Sequence, residues 1–137
     1  MTTMQLRFRS SLFNSSQPRA NWPAKNAYGE DLAEWLRAQL QCDGYALSTP
    51  RWQADAWTLE CRRGEETHGI RVRGGGIERW TIEISRTRSW IASLVLPEPA
   101  ANPSLAEAIH SSLLREPAVQ DLEWKRPRAP ERAMSIG

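Results

Sequence analysis

The chain has 137 residues, of which 40% are hydrophobic and 25% charged, and 18 basic against 16 acidic residues give a net charge of +2. This length suits one domain with one core, and no apolar run approaches the roughly 20 residues that span a bilayer. Charge so nearly balanced does not by itself indicate nucleic acid. Arg7 and Arg9 interrupt the apolar N-terminal residues, which disfavours a secretory signal. We therefore expect a cytoplasmic protein that does not contact a membrane.

The first predicted element is a short strand near the N-terminus. Apolar and polar residues alternate there with period two, and the apolar ones are Met4, Leu6 and Phe8. Arg7 and Arg9 make the polar side basic, which predicts an edge position protected from mispairing by charge. Residues 10–28 are rich in Ser, Asn and Pro and predict a long loop, with Trp22 and Tyr28 fixing parts of it to the body.

A helix is predicted over Glu30–Cys42, where apolar residues recur at helical spacing. Residues 45–49 then predict a strand that Pro50 ends. The following segment, residues 50–57, is turn-like and contains two tryptophans. Its Trp52 has two interpretations, either a cover on the core or an exposed anchor for a partner.

Residues 57–85 contain three apolar alternations in succession, the pattern of a sheet covered on one side only. Short joins containing glycine connect them and predict antiparallel hairpins. The apolar positions are Trp57, Leu59, Cys61, Ile70, Val72, Trp80, Ile82 and Ile84.

Three more elements and a tail complete the chain. Residues 90–96 predict a further strand, residues 104–116 a second helix that Pro117 stops, and residues 119–124 a last strand. Residues 126–137 combine prolines with arginines and predict a disordered basic tail.

The expected fold class is α+β: a mainly antiparallel, twisted sheet of about five to seven strands with two helices packed on one face. A single domain would occupy residues 1–125.

Searches for catalytic and metal-binding patterns give no candidate. The sequence has no Gly-x-Ser-x-Gly motif, and its cysteines and histidines are not spaced as close metal-ligand pairs. These residues are Cys42, Cys61, His68 and His110. We predict no catalytic residues, no metal and no cofactor. The two cysteines are expected to be reduced, with a single disulfide as the alternative.

Arginines on the polar side of the predicted sheet raise the question of nucleic acid, and they are Arg62, Arg71, Arg73 and Arg79. The aromatic residues needed for base stacking lie on the opposite face. Glu60 and Glu83 interrupt the basic residues, so cross-strand salt bridges are the simpler interpretation.

Part of the sequence resembles a pattern shared by small bacterial α+β proteins, some of which are immunity proteins that bind and neutralise a toxin delivered between competing bacteria. The residues that carry the resemblance are the run 28–36, then Leu40, Gly44, Tyr45, Pro50, the 52–57 loop and residues 80–82. It extends over about residues 28–125. The resemblance implies a toxin-binding role and no catalytic residues.

The leading hypothesis is a non-enzymatic protein-binding module, an immunity protein for a cognate toxin. Trp52 would be the buried anchor, surrounded by charged contacts. The predicted partner-binding residues are Arg51, Trp52, Asp55, Arg62, Arg63, Glu65 and Glu66. The alternatives are a secretion chaperone for an effector and a small nucleic-acid-binding regulatory domain.

Overall fold

The computed structural model describes residues 3–15, 19–24, 26–64, 66–87 and 103–125. These residues form seven strands and two helices. The strands are β1 (Thr3–Ser10), β2 (Ala46–Leu47), β3 (Arg51–Gln53), β4 (Ala56–Arg63), β5 (Glu66–Gly74), β6 (Arg79–Thr87) and β7 (Val119–Lys125). The helices are α1 (Glu30–Cys42) and α2 (Pro103–Leu114).

The strands form one open sheet in the order β2-β4-β5-β6-β1-β7, and β3 pairs with β4 beside β2. Every pairing is antiparallel. The predicted α+β class, with an antiparallel sheet and two helices, is confirmed.

Strand β1 lies inside the sheet, between β6 and β7, so the predicted edge position was wrong. The last strand returns antiparallel beside the first, which a pattern local to residues 4–9 does not reveal. Arg7 and Arg9 are exposed on the solvent face of this interior strand. Their charges therefore keep this face of the sheet hydrated and do not protect an edge strand from mispairing.

One face of the sheet carries the core because the registers bring the apolar positions of neighbouring strands together. Leu59 is opposite Ile70, and Ile70 is opposite Ile84. None of these three side chains has more than 1% of its surface exposed. Both helices complete the same core with residues at helical spacing, namely Leu32, Leu36 and Leu40 of α1 and Leu105, Ile109 and Leu113 of α2.

The described parts of the loop before α1 are held by aromatic side chains. Trp22 and Tyr28 meet edge to face with centroids 5.1 Å apart, and the Trp22 indole donates a hydrogen bond of 2.9 Å to Glu30. The buried indole of Trp57 donates to the carbonyl of Ala27, also at 2.9 Å. The predicted anchoring by Trp22 and Tyr28 is confirmed.

Gly29 is the N-cap of α1 and has a conformation that other residues rarely adopt, with φ of 114°. A Cβ atom at this position would lie 3.4 Å from a methyl group of Val72 on β5. Glycine therefore permits both the backbone geometry and the close approach of the helix to the sheet.

Some boundaries differ from the predictions. Strand β2 is shorter than the predicted 45–49, and the turn-like segment 50–57 contains β3 and the start of β4. The predicted strand at 90–96 and the predicted tail at 126–137 lie outside the described residues. Within the part of the chain that is described, no helix has the length and apolarity needed to cross a bilayer.

Candidate partner-binding surface

The predicted anchor, Trp52, lies on β3 directly opposite Trp57 of β4. The two rings meet edge to face, with centroids 5.6 Å apart. Trp52 is half-buried against the core, whereas Arg51 and Asp55 beside it are exposed. Trp52 thus covers part of the core and still presents part of its ring to solvent.

The turn between β3 and β4 is strained and is held in place by a side chain from β5. Ala54 and Asp55 both have positive φ, 51° and 62°, the geometry of a two-residue hairpin turn that normally favours Asn and Gly. Alanine in this region costs about 1–2 kcal/mol. Arg71 donates a 2.7 Å hydrogen bond to the carbonyl of Ala54, which fixes the hairpin tip on the sheet.

The remaining predicted partner-binding residues lie at the other end of β4. Arg62 and Arg63 are exposed at the end of this strand, and Glu66 is half-buried at the start of β5, opposite Arg63. Glu65 lies outside the described residues. The structure therefore brings the predicted residues together in two groups, one at each end of β4.

Arg63 lies over the ring of Tyr45, with its guanidinium carbon 4.5 Å from the ring centroid, a cation–π geometry. The two residues line a shallow pocket of about 450 Å³ together with Asp43, Glu107, Ala108, Ser111 and Arg115. Burial raises the pKa of the Tyr45 phenol, and the charge of Arg63 acts in the opposite direction. The hydroxyl of Tyr45 is buried and has no hydrogen-bond partner among the described residues.

On the solvent face of the sheet, the open face, two of the arginines form the predicted cross-strand salt bridges. Glu83 of β6 accepts from Arg73 at 2.9 Å and from Arg71 at 3.4 Å, and it also accepts from the Gln5 amide at 2.9 Å. Only 15% of the Glu83 side chain is exposed. This network joins β1, β5 and β6 through one carboxylate.

The same face carries a groove of about 560 Å³ that the sequence did not predict. Its basic wall is made by Arg7 and Arg9 of β1 and Arg79 of β6. Asp121 and Glu123 of β7 form its acidic wall. The alternation in residues 4–9 identified Arg7 and Arg9 as polar-face residues, but the pairing of β1 with β6, which completes the groove, depends on contacts about 75 residues apart along the chain.

The two cysteines and two histidines do not form one cluster, although His68 and Cys61 are neighbours across β4 and β5. Cys42 is exposed, Cys61 is buried, and both are free thiols. His110 accepts a 2.9 Å hydrogen bond from the Trp124 indole, and His68 is buried opposite Cys61. No group of three or more His, Cys, Asp or Glu residues within the described ranges could hold a metal ion.

Comparison with protein-family models, with curated proteins and with solved structures finds no match to this chain.

Proposed function

We propose that this protein is a non-enzymatic binding module, an immunity protein that binds a cognate bacterial toxin and neutralises it by blocking its active site. The observation that carries the proposal is the β3–β4 hairpin. This hairpin presents a half-buried tryptophan between exposed charges of both signs at the edge of the sheet.

The hairpin has the features of a preformed anchor. Tryptophan and arginine are enriched among the residues that dominate binding energy, and Trp52 lies next to Arg51. The Trp57 ring and the Arg71 hydrogen bond already hold the hairpin in place. A partner would therefore lose little free energy in ordering it.

The separation of the two predicted groups favours a partner of protein size. Residues 56 and 63 are seven steps apart on β4, and at about 3.3 Å per residue they lie roughly 23 Å apart. A standard protein interface buries about 800 Å² on each side, which corresponds to a patch roughly 32 Å across. One protein could cover both groups along this edge, whereas a small ligand could not.

The proposal is tested by titrating the purified protein with the product of the neighbouring open reading frame and by assaying the toxicity of that product. Trp52→Ala should weaken binding by at least about 30-fold, the loss that corresponds to an interface hot spot of 2 kcal/mol. Because Trp52 also packs on the core, circular dichroism must show that this variant remains folded.

A second variant leaves the core untouched. Arg51→Glu combined with Asp55→Asn reverses one exposed charge, removes the other and keeps a residue that tolerates positive φ in the turn. It should weaken binding about tenfold or more, while Glu34→Lys on α1 serves as the matched control. If the double variant still protects cells fully from the toxin, the proposed binding site is wrong. If the toxin keeps its activity while bound, the proposed neutralisation is wrong.

A further inference from the structure

A hydrogen bond between two side chains joins helix α2 to the last strand of the sheet. The indole of Trp124 on β7 donates to Nδ1 of His110 on α2 over 2.9 Å. The two ring centroids are 6.1 Å apart, and both side chains are half-buried. This contact therefore ties β7 to the helix layer in addition to its pairing within the sheet.

The contact matters for β7 because this strand lies at the edge of the sheet. It is the last strand in the sheet order and pairs with β1, in a register that shifts between Arg7 and Arg9. Trp124 is opposite the fully buried Leu6, so its indole lies on the core side of the sheet, where it packs against the core. Loss of the contact would loosen the strand that covers this side of the core.

The hydrogen bond requires a neutral imidazole. An indole N–H can only donate, so Nδ1 of His110 must present its lone pair and the ring proton must be on Nε2. A protonated imidazole carries a hydrogen on both nitrogens, and two donors would then face each other. Histidine is the side chain whose charge ordinarily changes between about pH 5 and pH 8. The contact can therefore form near neutral pH and is broken when mild acid protonates the ring.

The charged groups of α2 and of its connection to β7 do not replace the lost hydrogen bond. Glu107 and Arg115 are exposed and line the pocket beside Tyr45, so solvent weakens their interaction with a charged imidazole. Glu116 accepts a hydrogen bond from the backbone N–H of Ala118.

The charged groups of β7 lie on the other face of the sheet. Glu123 and Lys125 flank Trp124 in the sequence, and they are opposite Arg7 and Gln5 on β1. Because successive side chains of a strand point to opposite faces, neither Glu123 nor Lys125 shares the face of Trp124. Protonated His110 therefore gains no partner from β7.

We infer that the pair formed by His110 and Trp124 is a pH-sensitive latch, which is closed near neutral pH and opened in mild acid by protonation of His110. Opening releases Trp124 from α2 and loosens β7 at the edge of the sheet. The latch is separate from the hairpin surface and does not depend on the proposed toxin.

The test is NMR spectroscopy of the full-length protein between about pH 7.5 and about pH 5.5. The indole N–H signal of Trp124, identified by its absence in Trp124→Phe, should move upfield along the same pH curve as the ring signals of His110. The indole signal of Trp57, which donates to the carbonyl of Ala27, is the internal control and should move little.

Hydrogen exchange measures the release of the strand. Amide protection in β7, corrected for the intrinsic exchange rate at each pH, should fall at least about fivefold over this range, whereas protection in β6 should remain. In His110→Gln the amide oxygen can accept from the indole at every pH, so β7 protection should change less than twofold. Trp124→Phe keeps an aromatic ring without the donor, and its β7 protection should also be independent of pH.

Three results would overturn the inference. The first is a Trp124 signal that stays constant while His110 titrates, and the second is a His110 ring that remains neutral throughout the range. The third is a loss of β7 protection that is equal in the original protein and in the folded variants, because the acid sensitivity would then have another origin.

Discussion

Cys61 is a buried thiol whose ionisation opposes folding. None of its surface is exposed, and burial raises its pKa from 9.0 to about 12, although the nearby Arg63 acts in the opposite direction. Between these pH values the unfolded chain has lost the thiol proton while the folded protein retains it. The free energy of unfolding therefore falls as the pH rises from about 9 to about 12.

Replacement of Cys61 tests this pH dependence. In urea denaturation measured at several pH values, Cys61→Ala should lose part of the alkaline decline in stability, at most about 1.4 kcal/mol per pH unit for one proton. Cys42→Ala, at an exposed position, is the control and should keep the decline of the original protein. Identical slopes for the two variants would contradict the prediction.

The hydroxyl of Tyr45 provides a second prediction at the residue scale. It is buried without a hydrogen-bond partner among the described residues, and an unpaired buried polar group costs about 1–3 kcal/mol. Tyr45→Phe keeps the ring beneath Arg63 and removes the hydroxyl. Its free energy of unfolding in urea should rise by about 1 kcal/mol. Tyr45→Leu, which also loses the cation–π contact, should be less stable than Tyr45→Phe, and a clear loss of stability in Tyr45→Phe would show that the hydroxyl is satisfied in solution.

Among the elements, the β3–β4 turn is the one whose backbone conformation is least suited to its residues. Ala54 has φ of 51°, so Ala54→Gly should relieve backbone strain and raise the free energy of unfolding by about 1 kcal/mol.

Gly64, with φ of 66°, is the matched control for that variant. A Cβ at this position would meet no atom within 4 Å, so Gly64→Ala should destabilise the protein by about 1 kcal/mol through its backbone alone. Effects of the same sign in thermal denaturation of the two variants would rule out strain as the cause.

Local patterns were sufficient to predict most elements. The bounds of α1 agree with the prediction of Glu30–Cys42 because the leucine stripe and the Asp43-Gly44 stop are both local signals. Strand β3 was missed because its three residues are too few to show an alternation of apolar and polar positions. Its existence depends on the Ala54–Asp55 turn, where neither residue is the one that such a turn favours.

At the scale of the whole molecule, the solvent face of the sheet carries two kinds of arginine pair. Arg71 and Arg73 share Glu83, whereas Arg9 and Arg79 lie opposite each other. Arg79→Gln removes a charge that faces Arg9, and it should raise the free energy of unfolding by about 0.2–1 kcal/mol. Arg73→Gln removes a partner of the largely buried Glu83 and should lower it. Because salt screens exposed charges, the gain from Arg79→Gln should shrink in about 1 M NaCl. A gain that salt leaves unchanged would contradict an origin in repulsion.

The candidate surfaces show where sequence reasoning stops. It identified Trp52 and the charged residues of the hairpins from their turns and spacing. It could not assign Arg62 and Asp55 to opposite ends of β4 as separate groups, because residues 50–57 had no assigned structure. The arginine groove was missed because its walls come from the first, sixth and last strands, and residue spacing holds no information about which distant strands pair.

The position of β1 between β6 and β7 also has a consequence for synthesis. At about 5–20 residues per second, roughly 4–16 s separate the translation of β1 from that of the strand that first pairs with it. During this interval Met4, Leu6 and Phe8 have no sheet to cover them. The nascent chain therefore exposes an apolar strand early, and its sheet is complete only after residue 125 has left the ribosome.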